Sequence, residues 1–293
     1  MRKSLLPILI AISSCSIVNT SYPKNETLKV GAIPDQNPEK LNRLYNLVAK
    51  ELSQELKVKV KYIPVTNYAA AVTGFRTGSL DFVWFGGLTG VQARLQTKAA
   101  KVIAQRNIDK KFHSVFIANK TSGIPTLNNI RELKVLKGKR FTFGSENSTS
   151  GRLMPQYFLE KAGVNIYDFE GRRAGFSGSH DATLTLVNTG AYEAGVLNEQ
   201  IWKARVKNNN EKYSNTYVIL RSPSYHDYHW LLQGDIDKRF GPGFSNKIKN
   251  TLLNLDKNSD DHKKILDLFG AEKFVPSSSK NYNSIEKIGR AIG

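Results

Sequence analysis

The sequence predicts an α/β protein of two lobes, each a mainly parallel sheet flanked by helices, with a ligand cleft between them. Three observations predict it. Strand-like and helix-like segments alternate along the body of the chain, the alternation starts afresh after Ile124-Pro125, and the turns from strand to helix are unusually rich in small and hydroxyl residues. At 293 residues and 40% hydrophobic composition the chain can bury a core of one large or two ordinary domains.

The N-terminus stands apart from this pattern. Arg2 and Lys3 precede the apolar run Leu5 to Ile12, too short to cross a bilayer and laid out as an export signal. The run ends in Ile12-Ser13-Ser14-Cys15, which resembles a bacterial lipobox, with Cys15 as the residue to be acylated; an ordinary signal with a chance cysteine is the alternative. Residues 1–14 are then a lipoprotein-type signal and 15–26, polar and containing Pro23, a tether that holds a soluble body at a membrane surface. Cys15 is the single cysteine, so no internal disulfide is available and stability rests on packing.

The body opens with a strand over Thr27 to Ile33. Asn37-Pro38 then supplies an N-cap and a proline at the first helical position, and Leu41, Leu44, Tyr45, Val48, Leu52 and Leu56 share one face of the helix that follows. A strand at Val58 to Ile63, a helix at Tyr68 to Thr77 and a buried-type strand Asp81 to Phe85, closed by Gly86-Gly87, complete a βαβαβ unit; right-handed crossovers make its sheet parallel. The second set runs helix 128–136, strand 140–143, helix 150–162, strand 173–176, helix 179–189, strand 191–197 and helix 198–206. Strands at 217–220 and 228–232 and helices at 242–255, 261–268 and 284–292 follow.

Charge and titratable residues exclude several functions. The net charge of +18 raises nucleic acid as a partner, but the basic residues are scattered at helix-surface spacing and an exported chain does not normally meet nucleic acid, so a solvated basic surface is expected. The five histidines, 113, 180, 226, 229 and 262, include no pair at i, i+4, so no metal site and no cofactor are expected. A hydrolase with Ser148 as nucleophile, His180 as base and Asp181 or Asp227 as orienter is conceivable, yet Ser148 has no nucleophile-elbow pattern and His180 and Asp181 are sequence neighbours whose side chains diverge.

Ligands of such sheets collect where strands hand over to helices. Four of these turns stand out: Pro34-Asp-Gln-Asn37, Trp84-Phe-Gly-Gly-Leu-Thr89, Phe141 to Leu153, and Phe176-Ser-Gly-Ser-His-Asp181. A helix N-terminus binds an anion through its unpaired N–H groups, and Ser148, Thr149 and Ser150 add donors beyond the one that capping needs. The stretch reads as an oxyanion cradle or as capping alone.

Five segments, "GSENSTSGRLMPQYFL", "NYAAAVTGFRTGSLDFVWFGGLTG", "FHSVFIAN", "GSHDATLTLVNTGAYEAGVLNE" and "SPSYHDYHW", resemble the phosphate/phosphite/phosphonate-type substrate-binding proteins of bacterial ABC transporters, over nearly the whole mature chain. The resemblance implies a type II periplasmic binding fold, with lobe 1 over 27–117 plus 220–293, lobe 2 over 118–219, and hinges near 116–121 and 216–222. It implies that Ser148, Thr149, Ser150 and His180 bind ligand oxygens from one lobe and Tyr68 from the other. Trp84 and Phe85 begin an aromatic wall, and Asp227 is a pocket carboxylate. His113 and Asn198 are further positions of the pocket, and Asn198-Glu199 lie where aminophosphonate binders keep a carboxylate. Taken singly, each of these residues also reads as packing or capping.

The implied ligand is a small phosphorus oxyanion, phosphite or a small phosphonate such as methylphosphonate, with phosphate or selenate as alternatives on the same fold. Asp227 favours an anion that carries a proton over fully ionised selenate or sulfate, and an aromatic wall suits a P–H or P–C face. The implied partners are a membrane permease and its ATPase, the implied location is the periplasm with anchoring through Cys15, and the expected form is a monomer without enzymatic activity. A signalling sensor or a hydrolase on this fold is the alternative of another class.

Overall fold

The structure, a computed structural model, describes residues 26–208 and 211–292; the signal, Cys15 and most of the tether lie outside them. Strand β1 (Thr27–Ala32) leads to α1 (Pro38–Leu56), β2 (Lys59–Tyr62), α2 (Tyr68–Arg76) and β3 (Phe82–Phe85), the expected βαβαβ unit with parallel pairing of β1 to both β2 and β3. Asn37 caps α1 by accepting from the Lys40 N–H at 3.1 Å, and all six predicted apolar positions of α1 are buried. Two elements that follow were not in the expectation: α3 (Gly87–Leu95) and β4 (Lys101–Arg106). Gly87 and Gly90 argue against a helix on propensity, yet Gly90 has to be small: a Cβ there would fall 2.2 Å from the His229 ring.

The chain then leaves for a second sheet. This contains β5 (Ser114–Asn119), β6 (Phe141–Phe143), β7 (Gly175–Phe176), β8 (Ala194–Asn198) and β9 (Thr216–Arg221), in the order β7-β6-β8-β5-β9. Its helices are α4 (Met154–Lys161), α5 (His180–Asn188) and α6 (Glu199–Asn208). The expected helix at 128–136 is a 3-10 helix over Ile130–Leu136, and the one expected from Ser150 is a true α-helix only from Met154. Returning, the chain adds β10 (His229–Leu232), α7 (Ile236–Phe240), α8 (Phe244–Leu253), α9 (Asp260–Phe269), β11 (Phe274–Pro276) and α10 (Asn283–Ile292) to the first sheet, whose order is β11-β4-β10-β3-β1-β2.

Each sheet is mainly parallel, with its parallel run interrupted by a strand that comes from the other lobe's side of the chain: β10 is antiparallel to β3 and β4, and β5 to β8 and β9. This corrects the expected boundaries. Positions 117/118 and 219/220 fall inside β5 and β9, strands that pair only within the second sheet, so the passages between sheets are residues 107–113 and 222–228 rather than 116–121 and 216–222. The two passages bond to each other: Phe112 N donates to Tyr225 O at 2.8 Å and Tyr225 N to Phe112 O at 3.0 Å.

Candidate functional site

Three hydroxyls follow β6, and each has a different task. Ser148 Oγ accepts from Gly151 N at 2.9 Å, so the capping reading is correct for this one residue. The turn it caps is wide, closed by Leu153 N donating to Ser148 O at 2.9 Å across five residues. Thr149 Oγ1 accepts from Leu88 N, 2.9 Å away at the start of α3 in the opposite lobe. Ser150 is held through its carbonyl, which accepts from Ser114 Oγ at 2.7 Å. All three residues are at most 2% exposed. Ser148 and Thr149 use their oxygens as acceptors, which leaves both hydroxyl hydrogens to donate.

Asp227 stands on the second passage and closes the site from the other side. Its Oδ1 accepts from Gly87 N at 2.9 Å, while Oδ2 is buried and bonds to no group among the described residues. Burial pushes this carboxyl up to about 7, against the opposite pull of the Gly87 N–H and the nearby Thr149 and Ser150 hydroxyls. The close approach depends on glycine: a Cβ at Gly86 would sit 3.1 Å from Thr149 Oγ1 and 3.4 Å from Asp227 Oδ1. Tyr68, at the first position of α2, places its buried hydroxyl beside Ser148 without a well-formed bond to it. Burial raises it well above the ordinary phenol range.

His180 opens α5 after the Ser179 cap. It is fully buried, and burial lowers it to about 4, so the ring is neutral. Nδ1 accepts from Asn198 N at 3.3 Å, which assigns the ring proton to Nε2; that atom lies 3.4 Å from the Tyr228 hydroxyl. Asn198 caps α6 by accepting from Ile201 N at 2.7 Å and donates from Nδ2 to Tyr228 Oη at 3.0 Å. Tyr228 in turn donates to Asp35 Oδ2 at 2.9 Å. Beneath it the buried guanidinium of Arg106 lies 4.8 Å from the Tyr228 ring, 5.4 Å from Trp84 and 5.6 Å from Phe112, clamped by both oxygens of Asp109.

The structure therefore brings Tyr68, Ser148, Thr149, Ser150, His180, Asn198 and Asp227 to the interface between the sheets, and leaves three expected positions outside the polar cluster. Trp84 stacks on Tyr228 and is enclosed by Trp230, Phe269 and Phe274, and Phe85 packs edge-on against Phe75, so both rings act as packing beneath the site. His113 lies on the first passage with Nδ1 2.7 Å from Ser222 O. Glu199 is bound by Arg221 and Lys203. Sequence reading missed Tyr228, Asp35 and the Gly87 and Leu88 amides as bonding groups, although Asp35 and the glycines stand in two of the turns it singled out. The lobes are in contact here: besides Thr149 on Leu88, His180 N donates to Asp35 O at 3.1 Å. A cleft of about 630 Å³ borders the cluster on one side, lined by Asp35, Arg106, Asn198 and Tyr228 and by none of the three hydroxyl residues, His180 or Asp227.

Residues 30–282 match the family model described as ABC transporter, phosphonate, periplasmic substrate-binding protein. The chain is 59% identical over 272 residues to the "Probable ABC transporter phosphite binding protein PhnD1" of Prochlorococcus marinus, covering 93% of this chain and 91% of that protein. It is similar, with a TM-score of 0.90 over 91% of this chain and 98% of the other, to the solved structure of that relative in complex with methylphosphonate. A binding protein component of an ABC phosphonate transporter from Pseudomonas aeruginosa, 22% identical, shares the fold at a TM-score of 0.77 over 89% of this chain and 85% of that one.

Proposed function

Because the chain belongs to the phosphonate-type periplasmic substrate-binding proteins of ABC transporters, we propose that its cleft captures phosphite or a small phosphonate such as methylphosphonate for the membrane permease and its ATPase. The observation that carries this reading is the pairing of hydroxyl donors with one buried carboxyl, Asp227, whose Oδ2 bonds to no other group among the described residues. Hydroxyls of Ser148, Thr149, Ser150 and Tyr68 and the Nε2–H of His180 supply donors without net charge, which suits a small, closely surrounded anion. Asp227 takes the ligand's own O–H, or gives up its proton to a dianion. Either way the bound state holds one proton between carboxyl and ligand, and a permanently ionised tetrahedral anion must wait for Asp227 to bring it.

Trp84 and Phe85 support the pocket from the layer beneath, and Asn198 acts by holding Tyr228 and the His180 ring. A P–H or P–CH₃ group needs no hydrogen-bond partner, whereas the amine of a longer aminophosphonate does. Glu199, the carboxylate nearest to that role, already carries two cations, which favours the unsubstituted ligands. The relative named for phosphite and its complex with methylphosphonate support the same assignment.

The protein works as a monomer in the periplasm, anchored through acylated Cys15, and the lobes rotate about residues 107–113 and 222–228 to shut on the anion. It is a carrier and not an enzyme: His180 Nδ1 accepts a backbone N–H where a catalytic triad needs it to donate to a carboxylate, and Asp181 bonds elsewhere. Calorimetric titration against phosphite, methylphosphonate, phosphate, sulfate and selenate tests the reading. Tight binding of the first two is expected; tight selenate binding with no response to phosphite would overturn it.

A further inference from the structure

Asp181 directly follows His180 in the chain but points away from the oxyanion cluster. Its Oδ2 accepts from Asn37 N, in the opposite lobe, at 2.7 Å. Arg205 of α6 grips both oxygens of the same carboxylate, from Nε at 2.6 Å and from Nη2 at 2.8 Å. The two side chains are 21% and 19% exposed, so the pair is partly withdrawn from solvent, where a charge-assisted bond is stronger than on an open surface. Burial alone would raise the carboxyl; Arg205 and the Asn37 N–H more than offset it and hold Asp181 below the usual carboxylate range.

The arrangement on the other side is equally specific. Asn37 caps α1 with its side chain and Pro38 follows it, so the Asn37 main-chain N–H stands before the helix with no intrahelical acceptor. The two bonds that cross between the lobes here, Asp181 on Asn37 N and His180 N on Asp35 O, join the first turn of α5 to a single three-residue stretch of lobe 1. Whatever seats the His180 ring against a ligand therefore also seats Asp181 against Asn37.

We propose that Asp181, oriented by Arg205, is a positioning residue that latches the lobes shut behind the captured anion and so sets how long the anion stays. It touches no ligand atom in this scheme. The ligand-free lobes already carry these bonds, so release requires the latch to break and entry does too: its loss speeds release and does not slow association.

The inference rests on the oxyanion-capture reading for its ligand but has one readout that does not. In stopped-flow measurements with methylphosphonate, Asp181→Ala is expected to raise the dissociation rate roughly tenfold to a hundredfold, the worth of a charge-assisted bond, with association unchanged or faster. Arg205→Ala should give a smaller rise in the same rate, and the double variant little more than Asp181→Ala alone. In parallel, small-angle scattering of the ligand-free protein should show Asp181→Ala and the near-isosteric Asp181→Asn more open than the parent, whatever the ligand proves to be. A dissociation rate within twofold of the parent, or an unchanged scattering profile in a variant that melts as the parent does, would overturn the latch. Failure of the parent itself to bind methylphosphonate or phosphite would overturn the capture reading and leave the scattering comparison to decide the latch.

Discussion

Replacing Asp227 by asparagine should make the ligand-free protein more stable at alkaline pH while spoiling its discrimination among anions. The carboxyl titrates near pH 7 in the folded chain against an ordinary value of 3.8, so the folded state binds the proton more tightly than the unfolded state does. Its favourable contribution is full below pH 3.8 and is lost as pH rises to 7, at about 1.4 kcal/mol per unit, which amounts to about 4 kcal/mol by pH 8. The amide carries no charge to desolvate and keeps an acceptor for Gly87 N, but it leaves a buried N–H group without a partner, at a cost of about 1–3 kcal/mol. The variant is therefore expected to exceed the parent by roughly 1–3 kcal/mol at pH 8 and to lose about 3 kcal/mol of that relative standing on going to pH 5. Urea unfolding of both proteins without ligand at pH 5, 6, 7 and 8 measures the difference. A stability gap that does not move with pH would refute the reasoning, since it would mean that Asp227 is not a buried carboxyl strained by its own charge. The same variant, titrated calorimetrically, should bind phosphite more weakly and lose most of its preference over sulfate.

Thr149→Val keeps the shape but removes a donor to the ligand and the acceptor for Leu88 N; it should weaken the preferred ligand on the order of tenfold or more, and unchanged affinity by calorimetry would return the stretch to capping. If one proton is shared between Asp227 and the bound anion, sulfate affinity should fall about tenfold per pH unit above 7, whereas phosphite affinity should pass through a maximum; parallel profiles for the two would contradict the scheme. Gly86→Ala places a methyl 3.1 Å from Thr149 Oγ1 and should loosen binding by obstructing closure while leaving thermal stability near that of the parent, as melting curves and titration would show together. Tyr228→Phe strips Asp35 of its donor and Asn198 of an acceptor in a buried site, so a loss of about 1–3 kcal/mol is expected in urea unfolding.

The fold was legible where the residues themselves carry the period. The apolar stripe of α1 and its Asn-Pro start named that helix, and the unbroken apolar run of β3 named a strand buried on both faces. What escaped was decided by packing between distant segments. α3 carries Gly86 and Gly90 within and just before its first turn and reads as loop, because the need for close approach to Thr149 and His229 appears only when the lobes and β10 are in place. The lobe boundaries slipped by several residues for a similar reason: Ser114–Asn119 is wholly buried and looks alike from either lobe, and only its pairing with β8 and β9 assigns it. At the site, the hydroxyls, His180 and Asp227 were visible through the turns they occupy and through the family resemblance. Tyr228 was not, since a tyrosine flanked by two other polar residues gives no sign that its hydroxyl will join Asp35, Asn198 and His180, residues 193, 30 and 48 positions away.

The mutual bonding of the two passages has a mechanical consequence. If the lobes turn about these passages as proposed, the bridge between Phe112 and Tyr225 makes of them a single axle instead of two loose joints, and Asp227 is mounted two residues from it with its own N–H on Asp109 O at 3.2 Å. Such a swing would move the outlying helix mouths through a wide arc and Asp227 hardly at all. The acid would then be the still point of the trap: an incoming anion would meet it in the same place whether the jaws are apart or together, and the hydroxyls would do the travelling.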